Sequence, residues 1–318
     1  MTRSVWVLTD GRPGNEGPAC ALAGALQAQG WPAARVLRAA PRPWAAPLPA
    51  AAWTIPPWRR GGWPFSGYAD PSIFAEPWPR LVLSAGRRSA PAAAALRRLS
   101  GGDVRAVQIL DPRLGPGRFD ALVVPEHDGL SGETIIPILG SLARRPAPVE
   151  DPRLAARPSP RVAVLLGGPS GAARWTKTDV AALAQGLAAL GAQGVGLVVT
   201  PSRRTPPALL DAARAAPGAW VWDGAGANPY PAMLHGAAAA LVTADSVNMA
   251  SEAATAGLPV LVAPVSGLSS KLRRFHAAFE ARGHARPFRG ALETWSPPPL
   301  DEAARVAARL ATHYIGRP

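Results

Sequence analysis

The stretch that decides the fold is residues 240–263, which read ALVTADSVNMASEAATAGLPVLVA. Two short apolar runs, Ala240–Thr243 and Val260–Ala263, enclose a segment of small residues from Val247 to Ala256. A Gly-Leu-Pro sequence then ends that segment, because glycine and proline both stop a helix. Apolar run, helical segment and apolar run form the pattern of a β-α-β unit with parallel strands. The stretch therefore predicts an α/β domain.

The same alternation runs along the whole chain and is interrupted once, by the Pro-rich segment 144–160. Prolines lack the N–H group that regular pairing needs, so this segment is predicted to be a linker between domains 1–150 and 151–318. The first series of predicted strands is Val5–Leu8, Leu81–Leu83, Val104–Ile109 and Ala121–Val124, with helices Glu16–Gln29 and Ala90–Leu99. The second series has strands Val162–Leu166, Val195–Thr200, Ala219–Trp222, Ala240–Thr243 and Val260–Ala263, with helices Thr178–Leu190, Pro206–Ala216, Val247–Ala256, Ser269–Ala281 and Asp301–Thr312.

These series predict two Rossmann-like, doubly wound α/β domains that face a cleft. We expect the amphipathic C-terminal helix to pack back towards the N-terminal domain. A length of 318 residues suits two domains of ordinary size, and an apolar fraction of 48% is enough to bury a core.

Composition narrows the class of protein further. The single cysteine, Cys20, excludes an internal disulfide and a multi-cysteine metal site, and it fits a reducing cytoplasm. Neither a signal-peptide pattern nor a run of about 18 uncharged apolar residues occurs, so we expect a cytoplasmic protein. The net charge of +13 comes almost wholly from scattered arginines, so specific nucleic-acid binding is not expected. Attraction to an anionic membrane surface, at the inner face, stays open.

A tryptophan- and proline-rich region from Pro43 to Trp78 has two interpretations. It is either an irregular excursion packed over the first sheet or a lip that touches a lipid-linked substrate or a membrane interface, where Trp and Arg are favoured. Its tryptophans are Trp44, Trp53, Trp58, Trp63 and Trp78.

The loops that follow the strands of the second half carry the candidate ligand residues. Ligands of open α/β sheets bind beyond the carboxyl ends of the strands. Glycines let backbone N–H groups approach a phosphate, hydroxyls and arginines suit phosphate oxygens, and Asn or Tyr can contact a base. Tight turns and helix caps explain each loop alone equally well, but four such loops at successive strands predict one site. The candidate binding residues are Gly167, Gly168, Ser170, Ser202, Arg203, Asn228, Tyr230, Asp245, Ser246, Asn248 and Glu252.

Glu252 is the most informative of these residues. It lies seven positions after Asp245, on about the same helical face. Helix capping by Asp245 or Ser246 needs no ligand, but capping does not explain a carboxylate two turns into a small, apolar helix. A carboxylate in that place can accept hydrogen bonds from both hydroxyls of a ribose, so Glu252 points to a nucleotide.

Two segments carry a resemblance to two-domain (type B) glycosyltransferases. Residues 251–264, SEAATAGLPVLVAP, resemble their nucleotide-sugar segment, and residues 166–172, LGGPSGA, resemble their second glycine-rich loop. The nearest resemblance is to the enzyme that adds N-acetylglucosamine to lipid-linked muramyl peptide. It implies that Glu252 holds the ribose and that Gly168, Ser170 and Ser246 lie near the diphosphate.

A second resemblance covers nearly the whole chain. The chain is similar to the "elongated mitochondria" family of mitochondrial fission, which includes plant proteins that help to recruit a dynamin and many bacterial members. The motifs that carry it are 9–15 (TDGRPGN), 84–88 (SAGRR), 108–113 (QILDPR), 124–128 (VPEHD), 200–205 (TPSRRT), 228–230 (NPY) and 243–249 (TADSVNM).

In the first half, the loop after the first strand is the predicted acceptor site. In the lipid-sugar transferases the matching loop ends in a histidine thought to act in catalysis, whereas this loop has Asn15 and no histidine. A replacement base could be His127, whose reference pKa suits proton transfer, or a neighbouring carboxylate. Candidate catalytic residues are Asp10, Glu126, His127 and Asp128, and candidate acceptor-binding residues are Gly11, Arg12, Gly14, Asn15 and Arg87.

The functional expectation is a glycosyltransferase-like protein. It would bind a nucleotide-diphosphate-sugar as substrate and transfer the sugar to a lipid or cell-envelope acceptor. No metal-chelating Asp-x-Asp occurs, so we expect neither a metal nor a resident cofactor. Two alternatives stay open: a non-catalytic scaffold that recruits a protein partner, and a nucleotide-sugar epimerase. No Gly-x-Gly-x-x-Gly follows the first strand, which disfavours a nicotinamide dehydrogenase.

Overall fold

A computed structural model describes residues 4–54 and 62–316 of the chain. It divides into two compact units, one of residues 1–144 and 301–318 and the other of residues 145–300. The sequence-based boundaries of 1–150 and 151–318 differ from this division chiefly at the last helix, which belongs to the first unit. No helix among the described residues is long and apolar enough to cross a membrane.

The first unit is built on a six-stranded parallel sheet in the order β2-β1-β3-β4-β5-β6. Helices α1 and α9 cover one face of it, and their buried side chains, among them Leu22, Leu26 and Leu310, form one core with the strands. The expected packing of the C-terminal helix is therefore confirmed. The elements are β1 Val5–Thr9, α1 Pro13–Ala28, β2 Ala34–Arg38, β3 Leu81–Ala85, α2 Ala90–Leu99, β4 Arg105–Ile109, β5 Ala121–Pro125, β6 Ile135–Ile138 and α9 Glu302–His313.

The second unit contains another six-stranded parallel sheet, in the order β10-β9-β7-β11-β12-β14. Its elements are α3 Pro152–Ala155, β7 Arg161–Leu166, β8 Ala173–Arg174, α4 Lys177–Ala192, β9 Gly196–Pro201, α5 Pro207–Ala215, β10 Ala219–Val221, α6 Tyr230–Gly236, β11 Ala239–Thr243, α7 Val247–Thr255, β12 Val260–Ala263, β13 Gly267–Leu268, α8 Ser270–Ala281 and β14 Ala285–Pro287. The short strands β8 and β13 pair antiparallel with each other.

The strand orders place one topological switch point in each sheet. In the first unit the chain runs from β1 outward to β2 and then returns to β3 on the other side of β1. In the second unit it runs from β7 outward to β9 and β10 and then returns to β11 on the other side of β7. Ligands of such sheets bind at these points, beyond the carboxyl ends of the strands. The candidate site is therefore sought between the loops after β7 and β11, and between those after β1 and β3.

Every strand predicted from sequence is confirmed, and three of the strands that were not predicted lie at sheet edges. β2, β6 and β14 each end a sheet. β2 is largely exposed, and β6 and β14 contain Pro137 and Pro287. An edge strand tolerates exposed side chains and proline. β2 and β14 therefore lack a continuous apolar run, and Pro137 interrupts the buried isoleucines of β6. The predicted linker is irregular apart from α3, which Asp151 caps.

The tryptophan-rich region packs over the face of the first sheet that carries α2. Trp53, Tyr68 and Phe74 are buried in that core. Trp63 stacks between Trp53 and Trp44, and Trp44 is 58% exposed. The described part therefore matches the packed excursion. Trp58 lies outside the described residues.

Two helical glycines give a paired prediction on stability. A Cβ added at Gly24 in α1 would meet nothing within 4 Å, whereas one at Gly191 in α4 would lie 2.1 Å from the carbonyl oxygen of Pro217. We expect Gly24→Ala to raise the free energy of unfolding by about 0.5–1 kcal/mol, since alanine loses less backbone entropy than glycine. Gly191→Ala should lower it, because backbone must move. Urea denaturation measures both, and a stabilised Gly191→Ala variant would contradict the described packing.

Candidate ligand site at the carboxyl ends of the strands

The glycine-rich loop after β7 is bonded into the loops beside it. The N–H of Gly167 donates to the Thr243 hydroxyl at 2.8 Å, and the N–H of Gly168 donates to Asp245 Oδ2 at 2.9 Å. A Cβ at Gly168 would lie 1.9 Å from the carbonyl oxygen of Arg204. Glycine is needed here because neighbouring backbone approaches closely. These two N–H groups are also already satisfied by protein acceptors.

The loop after β9 supports the glycine-rich loop from the other side. The Thr205 hydroxyl donates towards the carbonyl oxygens of Leu166 and Gly167, both at 2.9 Å, and accepts the N–H of Ser202. The N–H of Ser202 also reaches the carbonyl of Leu166 at 2.8 Å. Ser202, predicted to bind phosphate, thus lies beside the glycine loop and helps to shape its backbone.

Asp245 holds the two central loops together. Its side chain is fully buried and accepts hydrogen bonds from the Thr243 hydroxyl at 2.7 Å, the Gly168 N–H and Arg204 Nη2 at 3.2 Å. Burial raises the pKa of the Asp245 carboxyl above its ordinary value, although these partners oppose the shift. Asp245 was predicted to bind a ligand, whereas the structure gives its oxygens protein partners.

The first turn of α7 offers backbone N–H donors that no described residue accepts from. Ser246 is the N-cap, and its hydroxyl accepts the N–H of Met249 at 3.3 Å. Val247 and Asn248 occupy the first two helical positions, where an N–H has no partner within the helix. The positive end of the helix dipole favours an anion at the same place. Ser246 and Asn248 therefore lie where a phosphate would be stabilised.

Glu252 and Tyr230 form a pair on α7 and α6. The Tyr230 hydroxyl donates a short hydrogen bond to Glu252 Oε2, and the N–H of Tyr230 donates to Asn228 Oδ1 at 3.0 Å. Burial raises the pKa of Glu252, and burial together with the Glu252 charge raises the pKa of Tyr230 well above its usual value. The structure thus brings together Asn228, Tyr230 and Glu252. The Tyr230 phenol is hydrogen-bonded to Glu252, the residue predicted to bind the ribose.

Further support for the β11 loop comes from a residue that sequence reasoning did not select. His276 on α8 is buried, and its Nε2 lies 2.7 Å from the carbonyl oxygen of Ala244. Burial lowers the pKa of His276, which favours the neutral ring that donates from Nε2. No local pattern predicts this contact, because 32 residues separate the two partners.

In the first unit, the loops after β1 and β3 meet at the switch point. Asn15 Nδ2 donates to Asp10 Oδ1 at 2.8 Å, and Arg12 lies 3.4 Å from the same carboxylate. A Cβ at Gly86 would lie 2.5 Å from Asn15 Nδ2. Helix α1 begins at Pro13, so the predicted acceptor residues Gly14 and Asn15 lie in its first turn, while Gly11 precedes it and Arg87 is exposed after β3.

The remaining catalytic candidates lie together after β5. Glu126, His127 and Asp128 form one turn of 3₁₀ helix, which Gly129 ends in the left-handed conformation. His127 is buried, Glu126 is exposed, and His127 Nε2 lies 3.7 Å from Asp128 Oδ1. In residues 4–54 and 62–316 no group of three or more His, Cys, Asp and Glu side chains is arranged to hold a metal.

Solved structures of other proteins share this fold. Over 97% of the chain the structure resembles two solved structures, the spinosyn forosaminyltransferase SpnP and a UDP-N-acetylglucosamine 2-epimerase, each with a TM-score of 0.52. They cover 89% and 87% of those chains, at 15% and 13% sequence identity. The chain therefore has the two-sheet α/β fold of type B glycosyltransferases and nucleotide-sugar epimerases.

The family follows from sequence. The family model described as mitochondrial fission ELM1 matches residues 13–314, and the chain belongs to that family. It is 29% identical over 276 residues to the mitochondrial fission protein ELM1 of Arabidopsis thaliana, a match that spans 75% of this chain and 65% of the plant protein. An uncharacterised protein of Rickettsia prowazekii (strain Madrid E) is 28% identical over 72% of this chain and 78% of its own length. The sequence-based family assignment is confirmed.

Proposed function

We propose that the unit of residues 145–300 binds a nucleotide-diphosphate-sugar. The observation that carries this proposal is Glu252, a partly buried carboxylate with a raised pKa. Its Oε2 accepts from the Tyr230 hydroxyl, and no described residue donates to its Oε1. A carboxylate kept in such a place costs folding energy, and such carboxylates are common at functional sites. Its second oxygen can accept a ribose hydroxyl.

The phosphates of the nucleotide would bind near Glu252, at the start of α7. The free N–H groups of Val247 and Asn248 and the Ser246 hydroxyl lie in one helical turn, six residues or fewer before Glu252. A nucleoside diphosphate matches this spacing of anion donors and hydroxyl acceptor along one helix. Ser170, Ser202 and Arg203, from the loops after β7 and β9, would complete the phosphate contacts.

Sugar transfer is the reaction we propose for the bound nucleotide-sugar. The same fold occurs in a forosaminyltransferase and in an epimerase. The acceptor, a lipid or a saccharide, would bind the first unit at Gly11, Arg12, Gly14, Asn15 and Arg87. Asp10, Glu126, His127 and Asp128 are the candidates for the base that removes the acceptor proton.

Calorimetry with a panel of nucleoside diphosphates and their sugar conjugates tests the proposal. We expect the nucleotides of one nucleobase to bind with a dissociation constant below about 1 mM, which corresponds to a binding free energy of about −4 kcal/mol. Absence of binding by every member at millimolar concentration would sink the nucleotide proposal. NMR of the bound sugar-nucleotide then separates the reactions, because epimerisation changes the sugar without an acceptor and transfer requires one.

A scaffold is the second candidate, and the similarity to the Arabidopsis fission protein favours it. In that case the chain would recruit a protein partner without using the nucleotide site. Affinity purification should then recover a stable partner from cells of the source organism, and Glu252→Ala and Ser246→Ala should leave that recovery unchanged. Loss of the partner in both variants would favour the ligand-binding function.

A further inference from the structure

Arg204 joins three loops of the second unit. It follows β9, and its Nη1 lies 3.2 Å from the carbonyl oxygen of Gly168 and 3.3 Å from that of Pro169, in the loop after β7. Its Nη2 donates to Asp245 Oδ2, in the loop after β11. Because β9, β7 and β11 are neighbours in the sheet, the side chain crosses over the glycine-rich loop to reach Asp245. Arg204 therefore lies at the switch point between β7 and β11.

The two members of this ion pair differ in exposure. The Asp245 side chain is fully buried, whereas the Arg204 side chain is 45% exposed. Asp245 accepts from the Gly168 N–H and the Thr243 hydroxyl and has no exposed surface, so a ligand does not reach it. A guanidinium has five N–H donors in a rigid fork, and the three contacts of Arg204 leave donors that face solvent. Of the pair, Arg204 alone can touch a ligand.

The local charge favours an anion at this place. Arg203, next to Arg204, is exposed, so the loop carries two positive charges against one buried carboxylate. That carboxylate is also stabilised by neutral donors, which leaves the outer face of the guanidinium positive. Arginine binds phosphate through two parallel N–H bonds, and such charge-assisted bonds are about twice as strong as neutral ones.

We infer that Arg204 recognises the phosphate charge of the ligand, and that Asp245 is a positioning residue that aims it. The ligand class is a diphosphate ester. This inference rests on the proposed function and assigns within it the residue that separates a charged nucleotide from an uncharged nucleoside. Glu252 would not separate the two, because it would bind the ribose, which the nucleotide and the nucleoside share.

Binding of the nucleoside diphosphate preferred by the wild type and of its parent nucleoside tests the inference. Arg204→Gln should weaken diphosphate binding about 10- to 100-fold, the loss of a hydrogen bond to a charged group worth about 1.5–3 kcal/mol. Nucleoside binding should change by less than about 3-fold, since no charged contact is lost. Arg204→Lys keeps the charge without the fork and should fall between the two. Arg214→Gln is the matched control, because it removes the same charge from an exposed pair in the same unit.

Asp245 is tested through its dependence on Arg204. Asp245→Asn should weaken diphosphate binding in the wild type and add little in the Arg204→Gln background, because a positioning residue acts through the group that it positions. Additive losses would assign Asp245 an independent role. If Asp245→Asn fails to fold, the comparison of Arg204→Gln with Arg204→Lys still tests whether Arg204 binds the phosphates.

The outcomes separate the inference from the proposed function. Equal weakening of diphosphate and nucleoside in Arg204→Gln, or no weakening, overturns the role of Arg204 and leaves nucleotide binding intact. If no nucleotide binds, inorganic pyrophosphate is the remaining probe: binding that Arg204→Gln abolishes supports the inference while the proposed function fails. Absence of pyrophosphate binding overturns both.

Discussion

Gly168→Ala should lower the free energy of unfolding by about 1–3 kcal/mol, the usual cost of overpacking a closely packed place. The added Cβ would lie 1.9 Å from the carbonyl oxygen of Arg204, and backbone cannot move aside as a flexible side chain can. The loop would therefore shift and weaken the bond from the Gly168 N–H to Asp245. Urea denaturation gives the change in stability, and nucleotide binding should be lost with it.

Gly171→Ala is the matched control in the same loop. A Cβ there meets nothing within 4 Å, and its backbone does not have the left-handed conformation that disfavours alanine. We expect a change in stability within about 0.5 kcal/mol, as for an ordinary surface substitution. Equal destabilisation by the two substitutions would mean that flexibility of the loop, and not close packing against Arg204, explains its glycines.

Glu252→Gln should weaken ligand binding without destabilising the fold. The amide keeps the shape and the oxygen that accepts from Tyr230, but it loses the charge that strengthens a bond to a ribose hydroxyl. We expect nucleotide affinity to fall about 10- to 100-fold, which corresponds to about 1.5–3 kcal/mol. At neutral pH the free energy of unfolding should stay equal or rise, because burial disfavours the ionised carboxylate. Calorimetry and urea denaturation measure the two effects.

The pH dependence of this variant follows from the sign of the shift. The folded-state pKa of Glu252 lies above its ordinary value of 4.5. Its contribution to stability is therefore complete below that value and is lost as pH rises through the folded-state pKa. The stability of Glu252→Gln relative to the wild type should thus increase with pH across this window. Wild-type affinity should fall as Glu252 becomes protonated, and the variant should lack this fall.

Asp211→Asn provides the control for charge alone. Asp211 is exposed on α5 of the same unit, so its substitution removes an equal charge without a burial change. Affinity and the pH profile should match those of the wild type. If Glu252→Gln instead destabilises the protein at neutral pH and leaves affinity unchanged, Glu252 is a structural partner of Tyr230 and the nucleotide proposal loses its main support.

The sequence predicted that the loops after β7, β9 and β11 follow strands of one sheet, and the structure places these strands side by side. The sequence did not predict which residues of these loops contact each other. It selected Gly168 and Asp245 as ligand residues, and the structure shows them bonded to each other. It did not select Arg204, although the residue stands in a motif it noted. Gly168 and Arg204 are 77 and 41 residues away from Asp245, to which both are bonded. No local pattern specifies which loops a sheet will bring together.

What the sequence determined by itself is the set of buried parallel strands and the family. A strand covered on both faces must be apolar throughout, so strands such as Val162–Leu166 and Val260–Ala263 can be predicted from their apolar sequence. The tertiary structure decided the edge strands β2, β6 and β14 and the use of Asp245 as a buried support. Those features depend on contacts between segments that are far apart in the chain. Such contacts stabilise the protein only after the order of the strands in the sheet has brought the segments together.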